Sequence, residues 1–178
     1  MDVTFRTDFL WSARLACLLI LAVFTACASP AKPTAREQIL GSWELQSRTV
    51  RRSTGEVVMD PVLGPRPIGR LFYGASGHMA LQMMRDGRAQ AITQPEKSED
   101  AGNARIVLGY DAYFGTFSVD EAAGTVTHHV QGSLFPEDLG KDFTRTFRVD
   151  GDTFELSFAS PSAGGTEITR ALVFRRSK

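Results

Sequence analysis

From Gly41 onward apolar and polar residues alternate, the pattern of side chains that project to opposite faces of β-strands. Over residues 41–47, Trp43 and Leu45 share one face, with Glu44 and Gln46 on the other. The alternation returns at Ile68–Tyr73 and at 78–85, joined by Ala75-Ser76-Gly77 as a short hairpin link. Met79, Leu81 and Met83 there alternate with His78, Ala80 and Gln82. Residues 110–119, 125–131, 143–149, 154–158 and 168–175 continue the pattern, separated by turn-forming segments such as Asp150-Gly151-Asp152. These eight segments predict an all-β domain, an eight-stranded antiparallel up-and-down barrel. A two-sheet sandwich would use the same strands. Closure removes the exposed sheet edges, and eight strands can enclose one small ligand.

The segments between the strands have their own signals. Thr34 with Glu37 three residues later forms a capping-box pattern, so a short N-terminal helix is expected over residues 34–40. Residues 51–67 are rich in Gly and Pro and read as turns, with a short edge strand at 56–59. Residues 132–140 form a loop around Pro136. The polar insertion at 86–105 fits a long loop or a short helix.

Upstream of the barrel, Arg6 and Arg14 precede an apolar run at 15–26 that only Thr25 interrupts. The run falls short of the ~20 residues a membrane-spanning helix needs, and fits the core of a signal peptide. Ala26-Cys27-Ala28 offers an A-x-A cleavage site, which would release a soluble chain from Ser29. Phe24-Thr25-Ala26-Cys27 resembles a bacterial lipobox, with Cys27 as the lipidated first residue and Phe24 where Leu is usual. The expected organisation is a signal peptide at 1–28, a tether at 29–36 and the barrel domain at 37–178. Export places the protein in the periplasm or at the outer membrane and cell envelope, with a lipid at Cys27 as its membrane contact.

Charge and cysteine usage narrow the chemistry. Among 178 residues, 20 Lys and Arg balance 20 Asp and Glu, leaving no basic excess for a nucleic-acid partner. Cys17 and Cys27 are the 2 cysteines, and both precede the domain, so the barrel has no disulfide, thiolate ligand or cysteine nucleophile. The histidines are His78, His128 and His129; the adjacent pair points to opposite faces of a strand and cannot chelate one metal, so no metal or cofactor is expected. Neither a GxSxG elbow, nor a P-loop, nor a glycine-rich turn leading into a helix is present.

Strand parity singles out two inward polar groups. Val126, His128 and Val130 share a face opposite Thr127 and His129, so His128 turns inward. Phe143, Arg145, Phe147 and Val149 likewise share a face, which aims Arg145 into the core or the barrel mouth. A buried unpaired charge costs several kcal/mol, so Arg145 needs an acceptor or a wet cavity. Arg145 can hold a carboxylate or polarise a carbonyl, or it can be satisfied by protein carbonyls. His128 can contact a ligand, act in acid–base chemistry, or serve as a core histidine bonded to the backbone. Of the aromatics, Tyr73, Tyr113 and Phe117 are taken as ligand-lining, with Tyr110 and Phe114 as further candidates; all five could equally pack a core. Glu137 and Asp138 beside Pro136 are loop carboxylates that could serve acid–base work at a barrel mouth or simply be solvated.

The mature chain resembles the bacterial and fungal lipocalin-like domain family from about Leu40 to Arg176. Leu40-Gly41-Ser42-Trp43-Glu44-Leu45, Gly69-Arg70-Leu71-Phe72-Tyr73, Ser76-Gly77-His78-Met79, Tyr113-Phe114-Gly115-Thr116-Phe117 and Gly124-Thr125-Val126-Thr127-His128-His129-Val130 carry the resemblance through their order and spacing. The G-x-W start is similar to the first-strand signature of lipocalins, whose Trp closes the barrel floor under an Arg of the last strand. That maps onto Trp43 and Arg176, with Phe174 where the family often has Trp. The resemblance implies an eight-stranded barrel with an interior cavity and no settled activity, since fold alone does not fix function. The leading expectation is an exported protein binding an apolar or amphipathic small molecule, more a carrier than an enzyme. The alternative is a cofactor-free cyclase or isomerase on a lipid-like substrate, with His128 as acid–base group.

Overall fold

The computed structural model describes residues 1, 32–60, 62–88, 109–161 and 167–178. The signal segment with Cys27, the first part of the tether and most of the 86–105 insertion lie outside the described residues. Residues 33–178 form one compact unit.

Thr34 caps α1 (Ala35–Ile39): its hydroxyl accepts from the Glu37 N–H, and the Glu37 carboxylate accepts from the Thr34 N–H at 2.8 Å. The capping box predicted from the sequence is present. Five residues cannot sustain a helix by propensity alone. Tertiary contacts hold this one: Ile39 is fully buried, and the Trp43 indole N–H donates to the Ile39 carbonyl at 2.7 Å.

Nine strands follow: β1 (Gly41–Arg51), β2 (Val57–Met59), β3 (Ile68–Tyr73), β4 (His78–Met84), β5 (Tyr110–Asp120), β6 (Thr125–Ser133), β7 (Asp142–Asp150), β8 (Thr153–Pro161) and β9 (Glu167–Arg176), with a 3-10 turn at Pro136–Asp138 before β7. The order is β2-β1-β3-β4-β5-β6-β7-β8-β9, and β1 also pairs with β9. Every ladder is antiparallel, so β1 and β3 to β9 close an eight-stranded barrel with β2 as an extra strand. β1 closes it by being long: Gly41–Glu44 pair with β3, Thr49–Arg51 with β2, and nearly the whole strand with β9.

Two register shifts redirect side chains. Between Leu45 and Ser47 the β1–β9 ladder slips by one residue, and the burial phase of β1 flips. Plain alternation from Trp43 would leave Arg48 outside; after the bulge Arg48 and Val50 face in. A second bulge sets Gln131 of β6 against the Phe114–Gly115 step of β5. Gly115 is required there, because a Cβ would lie 1.9 Å from the His129 carbonyl oxygen.

The interior divides along the barrel axis. At the floor Trp43, Leu71, Tyr73, Phe154 and Phe174 are almost wholly buried, with Trp43 and Phe154 at 5.0 Å between ring centres. The Arg176 guanidinium lies 4.1 Å from the Trp43 ring centre and donates to the carbonyls of Leu40 and Gln38 at 2.9 and 2.8 Å. The opposite end of the barrel is polar.

Candidate functional site

β6 sets His128 in the middle of the interior, fully buried between two tyrosines. Its Nε2 lies 2.6 Å from the Tyr73 hydroxyl of β3, and its Nδ1 lies 2.8 Å from the Tyr113 hydroxyl of β5. Arg145, on β7 beside β6, donates to the same Tyr113 oxygen at 2.9 Å. A continuous hydrogen-bonded line therefore crosses the barrel from Tyr73 through His128 and Tyr113 to Arg145.

Burial drives the ionisation along this line. It pushes the His128 pKa well below the ordinary imidazole value, and the neighbouring Arg145 cation adds to the shift, so the ring is neutral. Burial also raises both phenols, Tyr73 the further; the adjacent Arg145 partly offsets the rise at Tyr113.

Arg145 is 8% exposed, and among the described residues no carboxylate pairs with it. Its guanidinium lies instead 4.1 Å from the Phe158 ring centre and 5.3 Å from that of Phe143. Cation–π contact of this kind offsets part of the desolvation but leaves most N–H donors available. These side chains form the wall of a cleft of about 450 Å³ at the barrel mouth, with Tyr113, Arg48, Asp111, Phe135, Asp138, Asp142 and Ser160.

Behind the cleft sits an ion-pair network. The Asp60 carboxylate is buried, 3.2 Å from Arg48 Nε and 3.8 Å from Arg170 Nε. Its other oxygen accepts from the N–H groups of Val62 and Leu63, an Asx-type turn that anchors the segment after β2. Arg48 also approaches Asp111 at 3.9 Å, and Arg170 donates to Ser160. Burial raises the Asp111 pKa, while Arg48 and then Arg145 oppose the rise.

The residues singled out from sequence thus fall into separate places. His128, Tyr73, Tyr113 and Arg145 are brought together; Tyr113 and Arg145 reach the cleft, whereas His128 communicates with it through Tyr113. Phe117 packs at 4.7 Å on Tyr73, toward the floor, and the Arg36 guanidinium lies 5.3 Å from its ring. Phe114 is 58% exposed on the outer wall, and Tyr110 bonds Gln82 there. Asp138 lines the cleft and pairs with Lys141 at 3.2 Å. Asp111 and Arg170 join the site without having been singled out from sequence, although each shares a parity with a buried neighbour, Tyr113 for one and Leu172 for the other. Arg48 and Asp60 carry no such signal, because a bulge and a turn place them.

The outer wall holds a second histidine chain. His129 Nε2 lies 3.0 Å from the Ser118 hydroxyl, and Nδ1 lies 2.7 Å from Asp142. The order resembles a hydrolytic triad. Its three members lie on the neighbouring strands β5, β6 and β7, with Ser118 and Asp142 exposed on the outer wall. It reads as a cross-strand polar ladder.

A closed eight-stranded antiparallel barrel, floored by a tryptophan under an arginine and polar at its mouth, is a lipocalin-like architecture. A model of the lipocalin-like domain family matches residues 40–177, and the chain belongs to that family. Over 106 residues it is 33% identical to the 4'-hydroxy-3'-methoxypropiophenone carrier protein ppsC of Aspergillus oryzae (strain ATCC 42149 / RIB 40), a match covering 55% of this chain and 96% of the relative. The solved structure of EF1p2_mFAP2b bound to DFHBI covers 80% of this chain and 97% of its own, with 12% identity and a TM-score of 0.40.

Proposed function

We propose that this chain is a non-enzymatic carrier that binds an amphipathic small molecule at the mouth of its barrel. Arg145 carries the reading: a nearly buried cation on a cleft wall, flanked by aromatic rings and without a carboxylate partner among the described residues. A charge in that position is desolvated at a cost that a ligand oxygen would offset. Phe135, Phe143 and Phe158 supply apolar walls for the rest of the ligand. The Aspergillus relative is named for carrying an aromatic ketone, a ligand of the size and mixed polarity that suits such a cleft.

The proposal includes export. The apolar run at 15–26 and the lipobox-like Phe24-Thr25-Ala26-Cys27 support a lipoprotein held at the cell envelope through Cys27. Native mass spectrometry of protein purified from its own cells tests both parts. The expected result is a bound small molecule, released chemically unchanged and depleted in Arg145→Gln, on a chain whose N-terminus carries a lipid mass. A ligand recovered in altered form would overturn the carrier reading. An unlipidated start at Ser29 would overturn the anchor.

A further inference from the structure

We infer that the innermost polar group of the ligand is an oxygen acceptor, a ketone, ester or carboxylate carbonyl, gripped by two donors: the Tyr113 hydroxyl and the Arg145 guanidinium. The inference rests on the small-molecule reading above and assigns the chemistry of that site.

The buried line holds more hydrogens than its internal contacts use. A neutral imidazole has one N–H and one bare nitrogen, and each tyrosine has one hydroxyl hydrogen. Two contacts, Tyr73–His128 and His128–Tyr113, each consume one hydrogen. Three hydrogens serve two contacts, so one hydroxyl hydrogen is left over.

If His128 carries its hydrogen on Nε2, the spare hydrogen belongs to Tyr73. That hydroxyl is buried beside the rings of Phe117 and Phe154, and His128 is the hydrogen-bond partner the structure gives it. An unsatisfied donor would then sit in the core, which native structures avoid. If the hydrogen is on Nδ1, Tyr73 donates to Nε2 and Nδ1 donates to the Tyr113 oxygen. Arg145 donates to that oxygen as well. The spare hydrogen is then on Tyr113, which lines the cleft.

The second arrangement leaves no donor stranded in the core. It fixes His128 as the Nδ1–H tautomer and turns the Tyr113 O–H outward beside the remaining Arg145 N–H groups. Two donations into the Tyr113 oxygen polarise its O–H and strengthen it as a donor. The charged groups facing the cleft fit an acceptor there. Arg48 is engaged with Asp60 and Asp111, and Asp138 with Lys141; Asp142, on the exposed rim, bonds His129. Asp111 and Asp138 are half-buried in the cleft and each lies beside a cation, which leaves Arg145 as the lining cation without a carboxylate partner among the described residues.

The test uses the full-length chain and three matched probes: 4'-hydroxypropiophenone, 4-propylphenol lacking the ketone, and 4-(1-aminopropyl)phenol with an amine in its place. Calorimetric titration should show the ketone binding at least about tenfold more tightly than either analogue. The preference should shrink in Tyr113→Phe, which keeps the ring and loses the donor. Equal binding of ketone and propylphenol, or tighter binding of the amine, would overturn the inference and leave the small-molecule site standing. Failure of all three, with no bound ligand in the native mass spectrum, would remove the small-molecule reading itself. A second readout does not depend on any ligand: long-range proton–nitrogen NMR of His128 should place the hydrogen on Nδ1. A hydrogen on Nε2 would overturn the donor count.

Discussion

The Arg176 guanidinium lies 4.1 Å from the ring centre of Trp43, and the two residues are register partners where the last strand meets the first. The contact seals the floor and ties the helix segment to it through the Leu40 and Gln38 carbonyls. The floor is packed by aromatics, and the polar cleft lies at the opposite end.

Trp43→Ala should destabilise the domain by about 3–5 kcal/mol, as large aromatic truncations in cores do. Arg176→Met should cost less, about 1–3 kcal/mol, by stranding the two carbonyls. Urea unfolding of the two single variants and the double variant measures the coupling. Strictly additive losses would contradict a joint seal.

Gly115→Ala should be more damaging than an added methyl usually is. The clash is with the His129 backbone oxygen, which a side-chain rotation cannot relieve. A loss of about 3 kcal/mol is expected, at the upper end for overpacking, and thermal unfolding reads it. A variant as stable as the parent would mean that the bulge opposite Gly115 is not fixed.

The pH dependence of stability should carry the signature of His128. Burial holds its folded-state pKa below the ordinary value near 6.5, so the unfolded chain takes up the proton first. Its contribution is complete above about pH 6.5 and is lost as pH falls toward the folded-state pKa, by up to about 1.4 kcal/mol per pH unit. Asp111 acts with the opposite sign, since its raised pKa favours the folded state as pH falls, in a lower window that starts above 3.8. Denaturation between pH 7 and 5 should therefore show a downward slope toward acid that His128→Gln flattens. An unchanged slope in that variant would assign the effect elsewhere.

Tyr73→Phe removes the hydroxyl at the deep end of the buried line and leaves His128 Nε2 without its partner. A cost of about 1–3 kcal/mol is expected, the desolvation penalty of one stranded polar atom. Chemical denaturation of this variant beside Tyr113→Phe compares the deep end of the line with its cleft end.

Alternation is local, so the sequence by itself determined the strands, the capped helix, and the inward direction of His128 on β6 and Arg145 on β7. The G-x-W start likewise pointed to Trp43 and Arg176 at the floor. Register is not local. The bulge after Leu45 turned Arg48 inward, and the turn after β2 buried Asp60 beside it, reversals that no period of two contains. Phe114 and Tyr110, read as pocket candidates, lie on the outer wall because their parity on β5 opposes that of Tyr113. The line from Tyr73 to Arg145 joins β3, β5, β6 and β7, and its spacing exists only once the barrel has closed. Which nitrogen of His128 bears the hydrogen is therefore a property of the tertiary structure: the cost of a stranded donor depends on what surrounds Tyr73, and distant strands supply those surroundings.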